Sequence, residues 1–176
     1  RTEVIIYVPS GSGRVIRDIR IKNLRSEAVE VDVIPVVEYT HFEALKQFTN
    51  NDWVPQTMQS KAVYEEDGLK TITQFAFMRR DFAVNYFTSN YPISSFETDR
   101  RIFLGENGYG SWASPLSLYN EELSSYEALR GDNICALMHH LGYMEPGMEK
   151  RIITQLGQCA DVREEKEIID YYRNEK

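Results

Sequence analysis

The sequence predicts a mainly β protein: an antiparallel sandwich with one helix at its carboxyl end. Three observations carry this. Apolar and polar residues alternate with a period of two through the first half of the chain. The alternating runs are short and are cut by turn-forming residues, a pattern that packs as two antiparallel layers. Only the last segment, "DVREEKEIIDYYRNEK", changes period, with Val162, Lys166, Ile169 and Tyr172 near helical spacing.

"TEVIIYVP" opens the chain as a strand, and Gly11-Ser12-Gly13 turns it into "VIRDIRIKN", where Val15, Ile19 and Ile21 share one parity. Asn23 with Arg25-Ser26-Glu27 makes the next connection. "AVEVDVIPVVEY" sets Val29, Val31, Val33 and Val37 against Glu30, Asp32 and Glu38, so one face is expected to be buried and the other wet. Pro35 has no N–H to donate, which predicts an edge or a bulge at that point. Alternation then stops in "THFEALKQFTNNDWVPQT", residues 40–57. Phe42, Leu45 and Phe48 suit a short helical turn, while Asn50-Asn51-Asp52 and Pro55 end it. Excursions of this length from a compact domain are commonly functional.

Strands resume in "TMQSKAVYEEDGLKTITQFAFM", with Asp67-Gly68 as a hairpin turn. "DFAVNYFTS" gives another, and Thr98 to Leu104 reads as one more. "NICALMHHLGYMEPGMEKRIITQLGQ" is a strand, a Pro146-Gly147 turn and a closing strand. The expected organisation is a sandwich domain over residues 1–158 and a linker helix over 159–176.

A chain of 176 residues suits one domain. A net charge of −7 and a pI near 5.1 argue against binding nucleic acid, which needs a clustered basic surface. No apolar run is long enough to span a bilayer and no charged-then-apolar leader opens the chain, so a cytoplasmic setting away from membranes is expected. Cys135 lies in an apolar stretch and Cys159 in the expected linker; two such residues form neither a disulfide framework nor a metal cluster. The chain starts without Met and stops inside an amphipathic helix, which suggests a piece of a larger polypeptide and a stripe that needs a surface to cover it.

Chemistry is sparse. His139 and His140 are strand neighbours and point to opposite faces, so they cannot share a metal, and His41 is the only other imidazole. No G-x-S-x-G elbow occurs, and Gly11-Ser12-Gly13 lacks the lysine of a phosphate loop. A glycosidase needs two carboxylates across a cleft. Glu38, Glu43, Glu97 and Asp99 lie near aromatics, but no spacing makes any two of them face one pocket; a solvated strand face, or pairing with Arg100 or Arg101, is expected instead. No residue is assigned a catalytic role. Aromatics are plentiful, with eleven tyrosines, eight phenylalanines and two tryptophans, and Trp53, Tyr91, Tyr109 and Trp112 fall in irregular segments. Such faces pack in cores or stack on sugar rings. The stretch "SFETDRRIFLGENGYGSW", residues 95–112, concentrates the question: Tyr109 and Trp112 are the sugar-stacking candidates, and the charges beside them suit either a site or a structural corner.

The order of signals resembles a known family. "IRDIRIKNLRSEAVEVDVIPVVEYTHFEA", "YEEDGLKTITQF", "FAVNYFTS", "SSFETDRRIFLG" followed by "ASPLSL", and "MEPGMEKRIITQLG" are together similar to the amino-terminal β-sandwich of glycoside hydrolase family 94. The marks are Phe96, Asp99-Arg100, Phe103-Leu104-Gly105, Pro115, Pro146-Gly147-Met148-Glu149 and Leu156-Gly157. The resemblance covers residues 2 to 158 and implies an antiparallel super-β-sandwich of the galactose-mutarotase-like kind. It also implies a parent enzyme that phosphorolyses β-linked oligosaccharides with inversion, using inorganic phosphate as co-substrate and no other cofactor. In that family the chemistry belongs to an (α/α)6 barrel after the sandwich, and the "SSFETDRRIFLG" stretch belongs to the scaffold. The enzymes are homodimers in which a sandwich loop leans over the partner's active site. By position, residues 48–55 match that loop, which makes Asn50, Asn51 and Trp53 the substrate-loop candidates. Two other readings stay open: a free-standing carbohydrate-binding module, and the related domain of a cyclic β-1,2-glucan synthase.

Overall fold

A computed structural model describes residues 1–38, 58–66, 68–76, 83–105, 111–131 and 133–174. Its strands, in chain order, are β1 (Thr2–Tyr7), β2 (Arg14–Lys22), β3 (Val29–Val33), β4 (Val36–Glu38), β5 (Met58–Glu65), β6 (Gly68–Ala76), β7 (Val84–Ser89), β8 (Ser95–Asp99), β9 (Asn133–Met144) and β10 (Glu149–Cys159). Two short helices, α1 (Arg100–Leu104) and α2 (Lys166–Arg173), and a 3-10 turn at Leu116–Tyr119 complete the described elements. The protein is therefore mainly β, as the alternation predicts.

Every ladder between the strands is antiparallel, and they form two sheets. The larger has the order β1-β2-β10-β7-β6-β5, and the smaller is built on β9, which pairs with β3, β4 and β8. Their facing sides make the core. Ile72, Phe87 and Leu156 of the larger sheet meet Val37, Phe96, Cys135 and Leu137 of the smaller. Farther along, Ile19, Ile21 and Ile152 meet Leu141 and Met144. Removing such side chains from water is the main stabilising term in a sandwich of this kind.

Pro35 interrupts the DVIPVV run as expected. Val33 pairs with His139 and Val36 with Ala136, the same register on either side of the proline, and the Leu137 N–H still donates to the Pro35 carbonyl at 3.2 Å. β3 and β4 are thus one strand with a missing donor, and the bulge lies earlier, between Val31 and Asp32. β5 and β6 pair as a hairpin whose last rung is Glu65 with Gly68, and Asp67 of the expected turn lies outside the described residues.

Three expectations are corrected. The strand expected over Thr98 to Leu104 is the end of β8 followed by α1, because the Asp99 carboxylate accepts from the Arg101 and Ile102 N–H groups and starts a helical turn. Cys159 ends β10, where it is buried, and is not in a linker. Pro146-Gly147 makes the expected turn, and because the strands it joins lie in different sheets it arches between the layers. β2 is also covered on both faces near its start, since Ile16 and Asp18 are buried opposite the Ile19 parity.

The arch is fixed by Asn23, whose side-chain amide donates to the carbonyls of Glu27 and Met144, both at 2.8 Å. Its backbone exchanges hydrogen bonds with Gly147 and Met148. One buried amide thus ties the β2–β3 and β9–β10 crossovers together.

α2 lies on the outer face of the larger sheet. Ile169 packs with Tyr86, Cys159, Val84 and Val162, and the Gln155 amide donates to the Ile169 carbonyl at 3.1 Å. The apolar stripe read from the sequence finds its surface on this same sheet.

Candidate functional site

Several segments converge where β9 begins. Asp99 pairs with Asn133, and Glu38 with Ile134. The Asn133 amide donates to the Met58 carbonyl at 3.0 Å, and the Gln74 amide to the Ile134 carbonyl at 2.8 Å. Glu38 and Met58 flank residues 39–57, so the described residues on either side of that segment sit at this end of the sandwich, beside α1. Glu38 lies 3.5 Å from Arg100, an ion pair that ties β4 to the first residue of α1.

The glycine-rich corner is built around α1. Phe103 and Leu104 point into a core cluster with Leu123, Ile134, Ala136 and Met138. Gly105 ends the helix at φ +125°, donating to the Arg101 carbonyl at 2.9 Å, and Leu116 fills the space a side chain there would need, 2.6 Å from the position of a Cβ. The backbone therefore turns sharply and the 3-10 segment packs back on the helix. Trp112 rests on Phe103, ring centroids 5.8 Å apart at 43°, and keeps 47% of its surface exposed. Leu116, Leu118 and Tyr119 beside it are more exposed still.

Of the residues proposed from sequence, Trp112 is thus an accessible aromatic on a braced support. Asn50, Asn51, Trp53 and Tyr109 lie outside the described residues. The charges of the corner are structural: Asp99 caps α1 and Arg100 pairs with Glu38.

Glu97 corrects a further expectation. It is neither solvated nor paired with an arginine, but 1% exposed. One carboxylate oxygen accepts from the Thr98 and Asp99 N–H groups, each at 2.9 Å, and the other accepts from the Ser124 hydroxyl. Burial pushes its pKa above the usual carboxylate value, and these three donors hold the rise back. The cover is the segment 121–128, stitched to β8 by Leu123 N–H to Ser95 Oγ, Ser125 N–H to the Phe96 carbonyl and Ala128 N–H to Thr98 Oγ1. It then reaches the larger sheet, where the Ser60 N–H donates to the Ala128 carbonyl at 2.8 Å. Nothing in the local sequence marks this strap, because its partners lie roughly 30 to 70 residues away.

The two histidines do point apart. His139 is fully buried with Nδ1 2.8 Å from the Pro92 carbonyl, and burial lowers its pKa. His140 faces outward between Asp32 at 2.7 Å and Glu122 at 3.0 Å, which raise its pKa. Among the described residues, no group of three His, Cys, Asp or Glu side chains is placed to hold a metal.

A second concave feature was not visible in the sequence. Between α2 and the outer face of β5 and β6 lies a cavity of about 660 Å³, lined by Lys61, Tyr64, Thr71, Arg163, Lys166 and Arg173 among others. Lys166 pairs with Glu65 at 2.8 Å and Asp170 at 3.0 Å, and both raise its pKa. Beneath the helix the sheet face is polar yet closed: Tyr86 Oη accepts from Arg14 Nε and donates to Gln155 Oε1, both at 2.8 Å, and Arg14 pairs with Glu165. Burial pushes the Tyr86 hydroxyl up to about 12 and the Cys159 thiol to about 11, so neither is poised for proton transfer or nucleophilic attack.

Two antiparallel sheets packed face to face, with a helix on the outside of the larger one, define a β-supersandwich. The chain belongs to glycosyl hydrolase family 94: the family's supersandwich domain matches it over residues 1–175. No curated protein matches the chain. Among the described residues no helix is long and apolar enough to cross a membrane.

Proposed function

We propose that this domain is the non-catalytic amino-terminal sandwich of an inverting β-glycoside phosphorylase, an enzyme that converts a β-linked disaccharide or oligosaccharide and inorganic phosphate into a sugar 1-phosphate. The observation that carries the reading is the family match across residues 1–175. The described carboxylates fit it: Glu97 is enclosed and hydrogen-bonded and Asp99 caps a helix, so both are used in holding the scaffold. The proton donor and the phosphate-binding groups belong, on this reading, to a following (α/α)6 barrel, and inorganic phosphate is the only co-reactant. The domain works in the cytoplasm, forms part of a homodimer, and lends the segment around Asn50, Asn51 and Trp53 to the acceptor end of the partner's active site. Rooting of that segment beside α1, at one end of the sandwich, supports a loop that projects from a fixed base.

The test is phosphorolysis by the whole polypeptide, followed as sugar 1-phosphate formed from β-linked disaccharides. Trp53→Ala is expected to raise the acceptor KM in the synthetic direction while the phosphate KM stays fixed. An unchanged acceptor KM removes the loop role. Tight binding of oligosaccharide without turnover favours a carbohydrate-binding module, and transfer onto a growing β-1,2-glucan favours the cyclic glucan synthase.

A further inference from the structure

A polar level crosses the core of the sandwich. On β9, Leu137 belongs to one apolar cluster and Leu141 to the next, and His139 lies between them on the same inward face. On the facing sheet β10 repeats the pattern, with Leu156 and Ile152 in the two clusters and Thr154 between them. Thr154 pairs with Arg17 on one side and with Ser89 on the other, so β2 and β7 continue the level. Arg17 points inward, because its Nη1 crosses to the smaller sheet and donates to the Val36 carbonyl at 2.9 Å. Where the clusters set Phe87, Leu156 and Ile152 against the smaller sheet, this level sets Ser89 and Thr154, whose side chains are shorter. Volume is thus withdrawn from one wall of the core at the place where polar atoms enter it.

Three polar atoms at this level are enclosed and have no hydrogen-bond partner among the described residues: His139 Nε2, Thr154 Oγ1 and Arg17 Nε. His139 and Thr154 are both 0% exposed. Leaving a buried donor or acceptor unmatched lowers the folded-to-unfolded ratio by roughly fivefold or more for each group. Their chemistry is complementary to one small molecule. The Pro92 carbonyl can only accept, so His139 donates its N–H from Nδ1, 2.8 Å away, and burial, which lowers the pKa, favours the neutral ring. Nε2 is then a bare acceptor. Arg17 Nε–H can only donate, and the Thr154 hydroxyl does either. A donor and an acceptor that share one enclosed level without bonding each other call for a bridging group that carries both functions. Water is the smallest such group, and an internal water makes about three hydrogen bonds.

We propose that His139 Nε2, Thr154 Oγ1 and Arg17 Nε form an internal binding site for one water molecule, held between the two sheets where the apolar clusters divide. The water donates one hydrogen to His139 Nε2, accepts from Arg17 Nε–H, and completes its set with the Thr154 hydroxyl. It fixes β9 over β10 at a level where apolar contact does not. The site belongs to the sandwich itself and does not depend on which enzyme the domain serves.

A high-resolution crystal structure of the whole polypeptide is expected to show an ordered water within about 3.2 Å of all three atoms. A direct side-chain bond to His139 Nε2 or Thr154 Oγ1, or no density between them, overturns the proposal. Thr154→Val, which replaces the hydroxyl with a methyl group, tests the same point in solution through the sign of its effect. Taking a partner from a held water is expected to speed hydrogen exchange of the β9 and β10 core amides about fivefold or more in the whole polypeptide. Removing an atom that bonds nothing would leave those rates unchanged or slow them, and that result overturns the proposal. Thr154→Ser retains the hydroxyl and keeps the test open if the valine variant does not fold: its crystal structure is expected to hold the same water, and loss of the water there overturns the site.

Discussion

Gly157→Ala isolates a single packing event. Gly157 pairs with Tyr86 across the β10–β7 ladder, and the tyrosine ring lies over the glycine. A Cβ at position 157 would sit 2.4 Å from Tyr86 Oη, 2.5 Å from Cζ and 2.7 Å from Cε1. The backbone there is outside the left-handed region, so alanine adds no torsional penalty and the whole effect is steric. The ring cannot step aside cheaply, because it is fully buried and its hydroxyl is held by Arg14 and Gln155. Overpacking of this kind costs about 1–3 kcal/mol, and pulling the hydroxyl off two buried partners adds about 1–3 kcal/mol. The sum, about 2–6 kcal/mol, corresponds to a Tm lower by roughly 4–24 °C for a domain of this size.

Urea unfolding followed by Trp fluorescence and near-ultraviolet circular dichroism measures it. The companion Tyr86→Ala removes the ring, so Gly157→Ala placed on that background is expected to cost less than about 0.5 kcal/mol, leaving a coupling of most of the single-mutant effect. A single Gly157→Ala variant as stable as the parent would refute the argument, since it would mean that the ring does not lie where the glycine leaves room.

Asp99→Ala removes the cap of α1 and is expected to cost about 1 kcal/mol, read in the same urea titration. Glu97→Gln keeps an acceptor for the Thr98 and Asp99 amides and abolishes the buried charge. Because the folded-state pKa of Glu97 is raised above 4.5, its contribution is fully present below 4.5 and is lost as pH rises through the folded value. The variant should therefore gain stability over the parent at pH 7 and lose that advantage toward pH 4, as paired thermal melts would show. The adjacent histidines carry opposite signs. His139, lowered from 6.5 by burial, gives stability that is intact above pH 6.5 and lost as pH falls toward its folded value. His140, raised by Asp32 and Glu122, gives stability that is intact below pH 6.5 and lost as pH rises through its folded value. His140→Gln should cost under about 1 kcal/mol at pH 6, because the pair is partly exposed, and nothing at pH 9; His139→Leu should flatten the slope below pH 6.5.

The strands were readable because each has a buried face and a period of two, which survives whatever the partner is. Helix α2 was readable for the matching reason, with Val162, Ile169 and Tyr172 on one stripe. What the local pattern could not hold is pairing at a distance. β10 sits between β2 and β7, neighbours in space but far off in the chain, so the need for glycine at 157 depends on Tyr86 and is invisible in "QLGQ". Glu97 reads as a surface acid because its strand alternates normally; it is buried only because residues 121–128 cross over it. α1 was missed because Arg100 to Leu104 mixes charged and β-favouring residues, and the deciding group, the Asp99 carboxylate, acts through backbone donors that no side-chain pattern records.

The placement of the candidate site follows from the same nonlocal pairing. Residues 39–57 leave from Glu38 and return at Met58, and Trp112 stands on α1. In sequence these are well separated, yet all three are anchored at the first residues of β9 through Glu38–Ile134, Asn133–Met58 and Asp99–Asn133. A sandwich can present a loop accurately only from an end whose backbone groups are already satisfied, since unpaired carbonyls there would compete with the loop's own contacts. The Asn133 amide, donating at once to Met58 and Gly131, meets that condition with one side chain. Asn133→Ala is therefore expected to disturb acceptor binding and stability together, while Asp99→Ala, which loosens only α1, is expected to lower stability and leave acceptor KM unchanged. Equal effects of the two variants on acceptor KM would show that the root of the loop segment is not what holds it in place.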